Sequence, residues 1–66
     1  MNLEDSYLHD AISIIDKRID GMKSYLNLRL SLEDWHGVQD AASDIRELVA
    51  QKHILVGLLN RSVPKE

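Results

Sequence analysis

From Leu8 the apolar residues return at Ile12, Ile15, Ile19, Met22 and Leu26, a spacing of four, three, four, three, four. That is the seam of an α-helix and not the alternation of a strand. A second stripe runs from Trp35 through Val38, Ala42, Ile45 and Val49 to Leu55 or Val56 and Leu59. The pattern predicts two helices, about 6–29 and about 32–60, with a frayed polar tail at 61–66 stopped by Pro64. Asp5 or Ser6 can cap the first helix, with acidic groups near its positive end. The break falls within Leu30-Ser31-Leu32-Glu33-Asp34. Ser31 as N-cap with Asp34 three residues on approximates a capping box and puts Leu30 and Trp35 at the hydrophobic-staple positions. Asp34 as N-cap is the alternative, with Trp35 as the first helical residue.

So short a connection makes the helices antiparallel neighbours. The expected fold is all-α, a single two-helix hairpin folded about residue 32, which brings Met22 to Ala42, Ile19 to Ile45, Ile15 to Val49 and Lys17 near Glu47. Gly21, inside the first helix, is expected where the helices approach closely. Each helix has more apolar residues than one seam uses: Ala11, Ile14, Tyr25 and Leu28 on the first, Ala41, Leu48, Ile54 and Leu58 on the second. A monomer would leave them wet as a broad patch. Two hairpins packed into a four-helix bundle would cover them, so a homo-oligomer, a dimer first, is expected through Ile14, Leu48, Ile54 and Leu58.

Composition narrows the function. Sixty-six residues without cysteine have no disulfide, thiolate metal site or cysteine nucleophile to draw on. Eight basic against eleven acidic residues, spread over both halves, announce neither nucleic acid nor anionic lipid as a partner. An acidic start, Met1 to Asp5, and a longest apolar run of six residues, Ile54–Leu59, argue against a signal peptide or a membrane span. A cytoplasmic protein is the expectation. The three glycines are scattered, nucleophile elbows and phosphate loops are missing, and neither an enzyme nor a cofactor is expected.

The stretch Asp34-Trp35-His36-Gly37-Val38-Gln39-Asp40-Ala41-Ala42-Ser43-Asp44-Ile45-Arg46-Glu47-Leu48 resembles a D-W-H-x-V-x-D-A-A-x-D-[IL]-R-E pattern of small uncharacterised helical proteins from tailed bacteriophages and prophages. The resemblance covers about fifteen residues and carries no activity. It implies a phage gene working in the bacterial host cytoplasm, where so short a product would modulate a host or defence protein by binding it. The architecture is also similar to the Rop plasmid copy-number proteins, helical-hairpin dimers that bind RNA, although no motif of theirs is matched.

Asp40, Asp44 and Glu47 share one helical face, with His36 a turn earlier and Arg46 expected among the acids as their neutralising partner. With Trp35 they are the expected partner-binding residues. The bland reading of the stripe is a solvated, salt-bridged face. A metal site on His36, Asp40 and Asp44, or one shared by His9 and His53, is a rival with no further ligands to support it. An RNA-binding surface would need Lys17, Arg18, Lys23 and Arg29 to converge. Trp35 is expected chiefly as a plug at the hairpin tip, packed on Leu30, with a partner anchor as the alternative.

Overall fold

The computed structural model describes residues 3–62, without the Ser62 side chain. Two α-helices, α1 (Leu3–Ser31) and α2 (Trp35–Ser62), lie side by side as an antiparallel hairpin of 50 × 16 × 14 Å. α1 begins about a turn earlier than expected and ends two residues later, whereas α2 begins about a turn later and ends two residues further on. Residues 63–66 of the expected tail lie outside the described residues, whereas Arg61 and Ser62 are helical.

The connection is fully accounted for by backbone chemistry. Glu33 takes the left-handed conformation at φ 57°. Its N–H donates to the carbonyl of Leu30 (3.0 Å), and the Asp34 N–H donates to that of Arg29 (2.9 Å). This pair of bonds is a Schellman motif, with glutamate where glycine is usual. Asp34 then caps α2: its Oδ1 accepts from the Gly37 N–H at 3.0 Å, and its carbonyl accepts the first helical bond, from Val38, at 2.9 Å. The Ser31 cap is therefore corrected. Ser31 is the last residue of α1, and its hydroxyl donates back to the Leu28 carbonyl at 2.7 Å. An ordinary Ser back-bond ends one helix while an aspartate opens the next.

Moving the cap from Ser31 to Asp34 shifts the register. Asp16 on α1 meets Lys52 on α2, Nζ to Oδ1 at 2.7 Å. Ile19 and Val49 line one groove between the helices, about a turn from the expected pairing of Val49 with Ile15. Glu47 accordingly lines a groove with Arg18 and Gly21 and is not paired with Lys17.

The α1 seam is as expected: Leu8, Ile15 and Ile19 are buried, and Ile12, Met22 and Leu26 are half-buried. On α2 the seam is Val38, Ala41, Ile45, Leu48, Lys52, Leu55 and Leu59, a spacing of three, four, three, four, three, four, flanked by half-buried Ala42, Val49 and Val56. Ala41, expected among the surplus residues, is the most enclosed side chain described, at 0% exposure. The seam omits Trp35. That side chain is 61% exposed, and Leu30 and Leu32 beside it are exposed too, so the tip plug is also corrected. The physical reason is the same cap: as the first residue of α2, Trp35 turns away from the line that runs through Val38 and Ala41.

Candidate functional site

Two grooves run along the hairpin, one on each side of the seam. The first, of about 370 Å³, is framed by Arg18, Gly21 and Met22 of α1 and by Asp44, Glu47, Leu48 and Gln51 of α2. Residues seven apart lie nearly above one another on a helix. Gly21 therefore extends to Ile14 and Tyr7 in one direction and Leu28 in the other, and Glu47 and Gln51 extend to Ile54 and Leu58. The Asp16–Lys52 pairing sets Ile14 level with Ile54. Ile14 (52% exposed), Ile54 (65%) and Leu58 (43%) carry the groove's apolar character to the open end, with Tyr7 exposed beside them. The four residues expected at an oligomer interface thus share one side of the hairpin. Leu48 is half-buried at the groove floor.

Toward the tip the same face changes character. Asp44 and Glu47 line the groove, and Asp40 stands one turn before Asp44. His36 Nε2 is 3.6 Å from Asp40 Oδ2, both well exposed. Arg46 does not join them. It lies seven residues before His53, which lines the opposite groove with Asp16, Asp20 and Lys23, and it makes no ion pair among the described residues. The acidic stripe is therefore without the expected guanidinium in its middle. The cation on its face is Arg18, from the other helix.

Among the described residues, no three histidines and carboxylates gather where they could hold a metal ion. His53 lies beside Asp16, while His9 is nearly two turns from Asp16 toward the open end, so these two do not share a site. The basic residues of α1 are dispersed as well. Arg18 faces the first groove, Lys23 faces the second, and Arg29 is held at the tip.

The tip is held by a cluster of side-chain contacts. Arg29 Nη1 lies 3.2 Å from Asp34 Oδ2, and the guanidinium stacks over the Tyr25 ring at 4.9 Å from its centroid. Its Nε, shielded from solvent, has no acceptor. The Gly37 N–H, first, and the Arg29 guanidinium, against a desolvation that works the other way, hold the Asp34 carboxyl below its ordinary range. Gly37 serves here for space and not for its backbone angle. A Cβ at 37 would run into the Asp34 carboxylate and come within 2.8 Å of Arg29 Cδ. Around this knot the exposed Leu28, Leu30, Leu32 and Trp35 form an apolar collar. Neither Gly37 nor the Arg29–Asp34 pair was expected at the site, though Arg-x4-Asp-x2-Gly is visible in the sequence once the Schellman turn is known.

No protein-family model, curated protein or solved structure matches the chain. No helix among the described residues is long and apolar enough to cross a membrane.

Proposed function

We propose that this chain works by binding and not by catalysis: a helical hairpin that pairs with a second copy through the Ile14–Leu48–Ile54–Leu58 face and presents the assembled module to another protein. The observation that carries it is the exposure of Ile14, Ile54 and Leu58 toward the open end, a heptad beyond the lining of the first groove, with Tyr7, Tyr25 and Leu28 along the same side of α1. Soluble monomers seldom leave so continuous an apolar face open, and such faces mark interaction sites. A one-sided seam with four buried hydrophobic residues among the described ones leaves a chain of this size in need of a partner for stability.

The surface left for a different partner is the rest of the tip: Trp35 with Leu30 and Leu32, His36 and Asp40, whereas Asp44 and Glu47 line the first groove and belong to the self-pairing side. Trp35 standing 61% exposed among leucines favours the anchor role over the plug. Arg46 belongs to a different side and is set apart from this group. The resemblance of residues 34–48 to phage and prophage proteins supports a modulator of a host or defence protein in bacterial cytoplasm. Dispersal of Arg18, Lys23 and Arg29 disfavours the RNA-binding alternative, and the lack of converging ligands among the described residues disfavours the metal-binding one.

Sedimentation at micromolar concentration tests the first half, with a melting temperature that rises with protein concentration as its companion. A helical monomer of 7.5 kDa across the whole range would refute it. Affinity capture from a bacterial lysate, repeated with Trp35→Ala, tests the second half: the target is expected to be lost while the oligomer survives.

A further inference from the structure

We infer that the second copy lies antiparallel to the first, α1 crossing its partner's α1 at Gly21, with Arg18 of each copy placed against Asp44 of the other. This rests on the self-association proposed above and names its geometry.

Tyr7, Ile14, Gly21 and Leu28 form a line down α1 on the side of the first groove, and the three side chains on it are exposed. Gly21 stands within that line with its φ in the ordinary helical region and nothing within 4 Å of where a Cβ would lie. It therefore serves neither the turn nor the packing of the hairpin itself. A position without a Cβ on an exposed apolar line is where another helix can approach most closely, since the distance between packed helices is set by the side chains at the crossing.

Charge fixes the direction. Arg18, Asp44 and Glu47 line the groove, and none has an ion pair among the described residues. Gly21 and Glu47 stand at one level; Arg18 is about a turn nearer the open end and Asp44 about a turn nearer the tip. A parallel partner would set Arg18 level with Arg18 and Asp44 level with Asp44. A partner reversed about Gly21 sets Arg18 level with Asp44 twice over and Ile14 level with Leu28, as a two-fold interface requires; Glu47 meets its own copy in either direction and so does not decide between them. Self-complementary charge sets the occupant: a second copy supplies one Asp44 for each Arg18 across the two-fold.

Because the chain has no cysteine, single introduced thiols report proximity without interference. Under mild oxidation of the full chain, Gly21→Cys is expected to give a covalent dimer as the main species. A mixture of Ile14→Cys and Leu28→Cys is expected to cross-link between the two variants, and Ile14→Cys alone is expected to remain at the background of Ser13→Cys. Should Gly21→Cys disturb the crossing, the mixed Ile14–Leu28 cross-link still reads the arrangement. A sedimenting dimer in which Ile14→Cys links to itself, or in which neither Gly21 nor the mixture links, would overturn this geometry while leaving self-association standing. A helical monomer by sedimentation would overturn both.

Discussion

Arg29 and Asp34 are joined twice: the Asp34 N–H donates to the Arg29 carbonyl at 2.9 Å, and Arg29 Nη1 returns to Asp34 Oδ2 at 3.2 Å. One aspartate thus closes α1 and opens α2. The position where a Schellman motif ordinarily carries an apolar contact holds an ion pair instead. Losing the carboxylate removes the cap and leaves the guanidinium unpaired, so Asp34→Ala is expected to lower the melting temperature by about 4–8 °C. Asp34→Asn, which keeps a capping oxygen, is expected to lose less. The pH dependence has a definite sign. The folded carboxyl is held below its ordinary range, so its contribution is full above the unfolded-state value near ~4. It is lost as pH falls through the lower folded value. Thermal melts between about pH 5 and about pH 2 should show a decline that Asp34→Asn shares only in part, and equal declines in both would refute the assignment.

Glycine substitutions separate tight places from open ones. Gly37→Ala drives a methyl into Arg29 and Asp34 and is expected to cost about 1–3 kcal/mol despite the better helix propensity of alanine. Gly57 has open space around it, so Gly57→Ala is expected to stabilise by about 0.5–1 kcal/mol. Glu33 at φ 57° carries the strain that glycine avoids, and Glu33→Gly should add stability of similar size. Denaturant unfolding measures all three, and a stabilising Gly37→Ala would contradict the tip described above.

How much of this was readable beforehand depended on one residue. Two helices and the seam Leu8–Leu26 followed from apolar spacing, and their antiparallel pairing from the short break between them. The register did not, because Ser31 and Asp34 both make respectable N-caps and the chain decides by putting Glu33, a non-glycine, in the left-handed region. From that choice came the errors at Trp35, at Ala41 and in the Lys17–Glu47 pairing. The α2 seam was obscured by Lys52, a charge at a position where the pattern demands an apolar side chain. It is tolerated because the long stem can cover the seam while the ammonium reaches Asp16. Spacing did set Asp40, Asp44 and Glu47 on one face, but placing Arg46 among them ignored that it stands on the His53 side. The cation belonging to that face comes from the other helix, which a single-helix reading cannot see.

The Asp16–Lys52 pair offers its own test. Both side chains are partly exposed, so solvent screens the attraction, and a double-mutant cycle with Asp16→Ala and Lys52→Ala is expected to give a coupling below about 1 kcal/mol. Replacing the pair outright with Asp16→Ala and Lys52→Leu should make the hairpin at least as stable as the parent, since leucine completes the seam. A coupling of several kcal/mol would mean that the register depends on this ion pair more than on the apolar seam.

The exposed face should respond differently from the tip. Ile14→Asp or Leu58→Asp costs the isolated hairpin little, because Ile14 and Leu58 are 52% and 43% exposed in it. In the proposed assembly either change buries an unpaired carboxylate, so dissociation by at least tenfold in Kd is expected, with Gln39→Asp as the neutral comparison. Gly21→Ala makes the sharper case because its two effects oppose each other. A single hairpin has room for the methyl and gains about 0.5–1 kcal/mol of helix propensity. Two α1 helices crossing at that position must move apart to admit it. Unfolding at high dilution should therefore show Gly21→Ala as the more stable protein, while sedimentation at high concentration shows it as the weaker dimer. Agreement in sign between the two measurements would leave Gly21 an ordinary helix glycine and would remove it from the interface.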